Sequence, residues 1–161
     1  MEDNKLNYHG LEENKAALFQ VLGKSKGVVR WFTQDLEYLI SDNQECYQLV
    51  LNFCKNNPNA RFEILLHDPK ALASIGHRLI TLSQRLTTAI KIKHTHQEYV
   101  KNTPSAFVVV DSRHVYWKPI ATAWDGQLKM DSPLLAKTWD TLFKEAWEQS
   151  TFDSQLRSLN I

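Results

Sequence analysis

Cysteine is scarce: the 161 residues contain two, Cys46 and Cys54. They share one stretch of helical spacing and stand about 12 Å apart along an axis that rises 1.5 Å per residue, too far for a disulfide. No CxxC pair or Cys/His quartet accompanies them. That excludes a structural zinc module and leaves two reduced thiols of the kind the cytoplasm keeps, with Cys54 expected in the core. Glycine and proline number five each, which excludes collagenous and low-complexity chains. Long apolar runs are missing too. The longest pieces, such as Phe107-Val108-Val109-Val110, fall well below the roughly 18–20 residues of a membrane span, and no apolar segment of a secretory signal follows the polar start Met1 to Lys5. Neither sign of charge dominates: 19 Lys and Arg against 18 Asp and Glu leave a formal +1. No overall basic field therefore draws nucleic acid or an anionic membrane, and such a partner needs a local patch.

What is present is a chain with 43% hydrophobic residues, long enough to bury one core, so a single domain over residues 1–161 is expected. Ala16, Leu18, Phe19, Val21 and Leu22 mark a helix over 11–22 that stops at Gly23. Val28 to Phe32 is a β-branched and aromatic strand. Asp42 is placed to cap a helix carrying Cys46, Tyr47, Val50, Leu51 and Cys54, ended by Asn57-Pro58. A second strand, Arg61 to His67, stops at Asp68-Pro69, and Lys70 to Leu86 is helical with an interruption at Gly76. A third strand, Ala89 to His94, alternates apolar and basic residues and suits an edge. Ser105 to Val110 reads as a central strand, joined by the tight turn Asp111-Ser112-Arg113 to a strand over His114 to Lys118. An irregular polar stretch around Asp125-Gly126 precedes an amphipathic helix that begins near Pro133 and carries Leu135, Trp139, Leu142, Phe143, Ala146 and Trp147. Strands alternating with helices predict a three-layer α/β sandwich, a mostly parallel mixed sheet with helices on both faces.

Ligands of open α/β sheets bind beyond the carboxyl ends of the strands. Here those ends supply Asp35, Asp68, the pair His94 and His96, and Asp111, which share one rim if the strands are parallel. Each aspartate also suits a cap or a turn. His77 and Arg78 lie inside the helical stretch Lys70–Leu86, either facing the rim near Asp68 or Asp111 or solvated on the outer face. His94-x-His96 places two imidazoles on one side of an extended segment, a chelating geometry without an evident third ligand. Trp117 and Trp124 beside Lys118 form either a stacking platform for bases or part of the packing.

Ser105 to Asp111 followed by a hairpin resembles the catalytic strand of the phospholipase D-like superfamily, and Leu142-Phe143-Lys144-Glu145-Ala146-Trp147 resembles the helix that closes many of its domains. Thr33-Gln34-Asp35-Leu36, Asp68-Pro69 and Gly76-His77-Arg78-Leu79 are similar to features of a group of bacterial domains, sometimes attached to an acetyltransferase domain, that look like single degenerate halves. The resemblance spans mainly residues 27–150. It implies the fold of one phospholipase D-like half and, because active members join two half-sites, a homodimer. Active members carry H-x-K-x4-D, a phosphoryl-accepting His, a charge-neutralising Lys and a supporting Asp. Counted back from Asp111, those positions hold Pro104 and Ala106, and Lys118, Pro119 and Ala121 replace the G-S-x-N that would follow. Covalent phosphoryl transfer by that strand is excluded.

The expectation is a noncatalytic cytoplasmic domain that binds a phosphate-bearing ligand or a protein partner. Its contacts would be Arg78, His77 and Lys118, oriented by Asp35, Asp68 and Asp111, and no cofactor is implied. The enzyme alternative uses His77 as nucleophile or base in a hydrolase or phosphotransferase, with Asp68 or Asp111 orienting it. A further alternative is nucleic-acid binding through Lys91, Lys93, Lys101 and Lys118 with Trp117.

Overall fold

The computed structural model describes residues 5–153 and 156. In chain order the elements are β1 (Lys5–His9), α1 (Gly10–Gly23), β2 (Val28–Thr33), α2 (Tyr38–Ser41), α3 (Gln44–Asn56), β3 (Arg61–Leu66), α4 (Pro69–Ile75), α5 (Arg78–Arg85), β4 (Ile90–His94), α6 (Gln97–Asn102), β5 (Ala106–Val110), β6 (His114–Lys118), β7 (Asp125–Lys129), α7 (Pro133–Gln149) and β8 (Thr151–Phe152). The strands form one sheet in the order β1-β7-β6-β5-β2-β3-β4-β8. Its parallel pairings are the adjacent β2–β3 and β3–β4, and all the others are antiparallel. The expected mixed sheet with helices on both faces is present, but it is mostly antiparallel and not mostly parallel, because β5, β6, β7, β1 and β8 all join it antiparallel.

Side chains alternate across the sheet and so build two cores. Val29 and Trp31 of β2, Phe62, Ile64 and Leu66 of β3, and Val108 and Val110 of β5 pack under α1, α3 and α5. Phe32, Leu65, Phe107, Val109 and Val115 point the other way, under Ala136, Phe143 and Ala146 of α7. Phe32 stacks on Phe107 with ring centroids 5.0 Å apart. Both are fully buried, and burial of each contributes roughly 2–3 kcal/mol.

Local chemistry sets the helix starts. Asn43, not Asp42, caps α3, its Oδ1 accepting from the Cys46 N–H at 2.8 Å. Gly76, at φ +75°, closes α4 in a conformation that favours glycine, so the interruption expected there divides residues 70–86 into two helices and His77 becomes the cap of the second. Cys46 is the fully buried thiol and Cys54 is half-buried.

Three strands carry no strong apolar signal in the sequence. β1 and β7 pair along five residues, and β8 adds two residues beside β4. In β7 the turn-like pair Asp125-Gly126 is extended because Gly126 lies against α1: a Cβ there would overlap Asn14 Oδ1 and come within 2.9 Å of Tyr116 Cε1. Among the described residues, no helix is long and apolar enough to cross a membrane.

Candidate functional site

Strands β2, β3, β4 and β6 run in one direction and end at a common rim, where β5 begins. Ala106 opens β5 and is the register partner of Lys118, the last residue of β6. Paired residues of antiparallel strands project from the same face, so Lys118 emerges beside the Ala106 side chain. The Lys118 ammonium at this rim is occupied. Lys118 is 2% exposed, its Nζ is 3.4 Å from Glu37 Oε1 and donates to the Ala121 carbonyl at 2.7 Å, and the Trp124 ring covers it at 3.9 Å.

Glu37 is held as firmly. Its Oε2 accepts from Trp31 Nε1 at 2.7 Å and from the Thr33 hydroxyl at 2.9 Å. Burial pushes its carboxyl pKa up, against the opposing pull of Lys118 and of the Trp31 N–H. The carboxylate is positioned by a strained turn: Leu36 and Glu37 have φ of 61° and 47°, a region unfavourable to residues with a Cβ. Thr33 Oγ1 accepts from the Leu36 N–H at 2.9 Å, and Asp35 Oδ1 accepts from the Glu37 N–H at 3.0 Å. Asp35, expected to orient a ligand, instead braces this turn. Nothing in the sequence flagged Glu37 except its place four residues after Thr33.

His77 is fully buried and meets neither Asp68 nor Asp111. Its Nδ1 accepts from the Leu79 N–H at 3.0 Å, and its Nε2 lies 2.8 Å from Ser41 Oγ, whose hydroxyl donates to the Leu36 carbonyl at 2.6 Å. These partners assign the proton to Nε2. Asp42 Oδ1 is 4.0 Å from Nδ1, beyond hydrogen-bond reach. Burial lowers the His77 pKa from 6.5 to about 4, outweighing the opposing effect of Asp42. With both nitrogens used and the ring buried, the arrangement expected of a nucleophile or base with an aspartate partner is absent. Arg78 forms 3.1 Å bonds to the Asp42 carbonyl and carboxylate.

Asp111 is corrected more fundamentally. Because β5 opposes β2, Asp111 lies at the far rim, where its carboxylate accepts the backbone N–H groups of Lys26, Gly27 and Val28 at 2.8–2.9 Å. It orients no ligand beside Asp35 and Asp68. Asp68 caps α4 through the Ala71 N–H and also lines a cleft of about 540 Å³ with His67, Lys70 and His94. His96 caps α6, and no group of three metal-ligating side chains occurs among the described residues, so His94 and His96 lack a third ligand. His67, at the same rim, bonds Thr95 Oγ1 through Nδ1 at 2.7 Å and packs edge-on against Phe32 with centroids 4.4 Å apart. Its buried Nε2 has no hydrogen-bond partner among the described residues.

The proposed nucleic-acid set does not form one surface. Trp117 and Lys118 are buried, Lys93 is half-buried and bonds the Trp147 carbonyl, and Lys91 and Lys101 lie toward opposite ends of the sheet.

Residues 10–159 match a protein-family model. The chain belongs to the family described as domain of unknown function DUF7931. No curated protein sequence matches it. Among solved structures, it is similar to the phospholipase D family member Nuc from Salmonella typhimurium, with a TM-score of 0.65 and 11% identity over 94% of this chain and 99% of that one. NucT from Helicobacter pylori matches with a TM-score of 0.64 and 12% identity over 94% of this chain and 100% of that one. The archaeal chromatin protein TrmBL2, described as showing a novel mode of DNA binding, matches with a TM-score of 0.65 and 11% identity over 95% of this chain and 55% of that one. At these identities the likeness establishes a phospholipase D-like fold. On that fold, the Lys118 ammonium at the carboxyl-end rim is sealed under Trp124.

Proposed function

We propose that this chain is a noncatalytic phospholipase D-like domain that binds a protein partner, most directly a second copy of itself, through the rim at the carboxyl ends of β2, β3 and β6. One observation carries the reading: the Lys118 ammonium, at the spot where a phosphate would need a cation, is neutralised by Glu37 and shut away from solvent. Arg78, the other expected phosphate contact, is engaged by Asp42. The same rim exposes apolar side chains on several connections, Leu39 at 58%, Ile75 at 45% and Ile120 at 53%, which suits association better than anion capture. The free thiols Cys46 and Cys54 fit a reducing compartment such as the cytoplasm.

Light scattering on the purified chain and on the double variant Leu39→Glu/Ile120→Glu tests the proposal. The expected result is a dimer for the parent and a monomer with unchanged circular dichroism for the variant. A parent monomer at 100 μM, or a dimer indifferent to both changes, overturns the self-association. Hydrolysis of bis(p-nitrophenyl) phosphate that is lost in His67→Ala or His94→Ala overturns the noncatalytic reading.

A further inference from the structure

The formal charge of +1 conceals a segregation along the strand axis. At the rim where β2, β3 and β4 begin, Lys24 and Lys26 precede β2, Lys55 ends α3, Arg61 opens β3, Arg85 ends α5 ahead of β4, and Arg113 occupies the β5–β6 turn. All six are exposed. Two carboxylates at this rim are already committed, Asp111 to three backbone N–H groups and Asp131 to Arg113 at 2.7 Å, while Glu63 and Glu148 line a cleft with Arg61. Among the described residues, none of Lys24, Lys26, Lys55, Arg61 and Arg85 has a carboxylate oxygen within 4.0 Å. The opposite rim carries Glu12, Glu13, Asp35, Asp68, Glu98 and Asp125.

Helix dipoles account for part of this pattern, since Lys24, Lys55 and Arg85 stand at helix C-termini, where cations are stabilising. They do not account for Lys26, Arg61 and Arg113, which belong to no helix. From Arg113 to Arg85 the cations cross the strands β6-β5-β2-β3-β4, roughly 19 Å at about 4.8 Å per strand spacing. That length matches about half a turn of duplex nucleic acid.

The geometry points to this basic rim as a surface for the phosphate backbone of double-stranded nucleic acid, on the side of the sheet away from the association face. A duplex is favoured over a single strand because base stacking needs open rings: among the described residues the one exposed Phe, Trp or Tyr is Phe152, on β8. A lipid surface is less suited because, among the described residues, the exposed large apolar side chains toward this rim are Leu6 and Leu134. The interaction reads charge and not sequence, and engagement of about three to four phosphates gives a slope of log K against log salt near −3.

Fluorescence anisotropy with a labelled 16-base-pair DNA duplex at 50 mM salt tests this surface on the full chain. The expected result is salt-sensitive binding that weakens at least tenfold in Lys26→Glu/Arg61→Glu and less than twofold in Lys70→Glu/Lys101→Glu on the opposite rim, with both variants melting like the parent. No binding at 50 mM salt, equal loss in both double variants, or tighter binding to a 16-mer of thymidine overturns the proposal. So does stronger retention on phosphatidylcholine vesicles containing 30% phosphatidylserine than on the duplex. The readouts do not depend on self-association, which Leu39→Glu/Ile120→Glu tests separately.

Discussion

Lys118 and Glu37 raise the question of what a buried ion pair does at the rim of this sheet. Both side chains are almost without solvent contact, so each has lost most of its hydration, and a 3.4 Å attraction mainly offsets that loss. Removing one partner leaves the other charge stranded. Lys118→Met and Glu37→Gln are each expected to lower the unfolding free energy by about 3–5 kcal/mol, while the double variant recovers most of it. Urea denaturation of the four proteins measures this coupling. Additive losses would mean that the pair is held by its separate contacts to Ala121, Trp31 and Thr33 and not by its charges. The sequence displayed Lys118 clearly, at the end of a strand beside two tryptophans. It did not display the turn that brings Glu37 underneath, because that turn depends on two left-handed residues, Leu36 and Glu37, neither of them glycine. Without Glu37 in view, Lys118 reads as a free cation open to a phosphate.

At the level of elements, strong apolar periodicity marked β2, β3, β5, β6, α3 and α7, whereas weakly apolar strands went unseen. β7 exists because β6 offers it a partner and Gly126 lets it pass beside Asn14, a tertiary cause with no local signature. Strand direction was equally hidden. Sequence placed Asp111 at a strand end, but only the pairing of β5 against β2 shows which rim that end belongs to. There Asp111 closes the β5–β6 turn at φ 55° and fixes the entry to β2 with three accepted hydrogen bonds. Asp111→Ala loses both the turn preference and the acceptors and is expected to cost about 3 kcal/mol, whereas Asp111→Asn tolerates the left-handed conformation and keeps one oxygen, costing about 1 kcal/mol. Denaturant midpoints check the order of the two. If Asp111 instead orients a ligand, both variants abolish binding without the graded loss of stability.

For the whole molecule, burial decides which charges matter, and the histidines show it most directly. In the sequence His67 ends a strand and His77 either faces the rim or is solvated on the outer helix face. In the fold, burial holds both pKa values down from 6.5 to about 4, with His94 adding to the effect at His67 and Asp42 opposing it at His77. Between those two pH values the unfolded chain binds protons that the folded chain refuses. The stability these rings contribute is therefore complete above about pH 6.5 and declines as pH falls toward 4, by up to roughly 3 kcal/mol for each ring. Urea midpoints across pH 4.5–7.5 should fall on acidification, and His67→Gln/His77→Asn should start less stable at pH 7.5 but show a flatter decline. An equal slope in parent and variant would assign the acid sensitivity to carboxylates, which titrate mostly below this window. The outcome also bears on the carboxyl-end rim, where the uncharged His67 and His77 rings add no positive charge at pH 7.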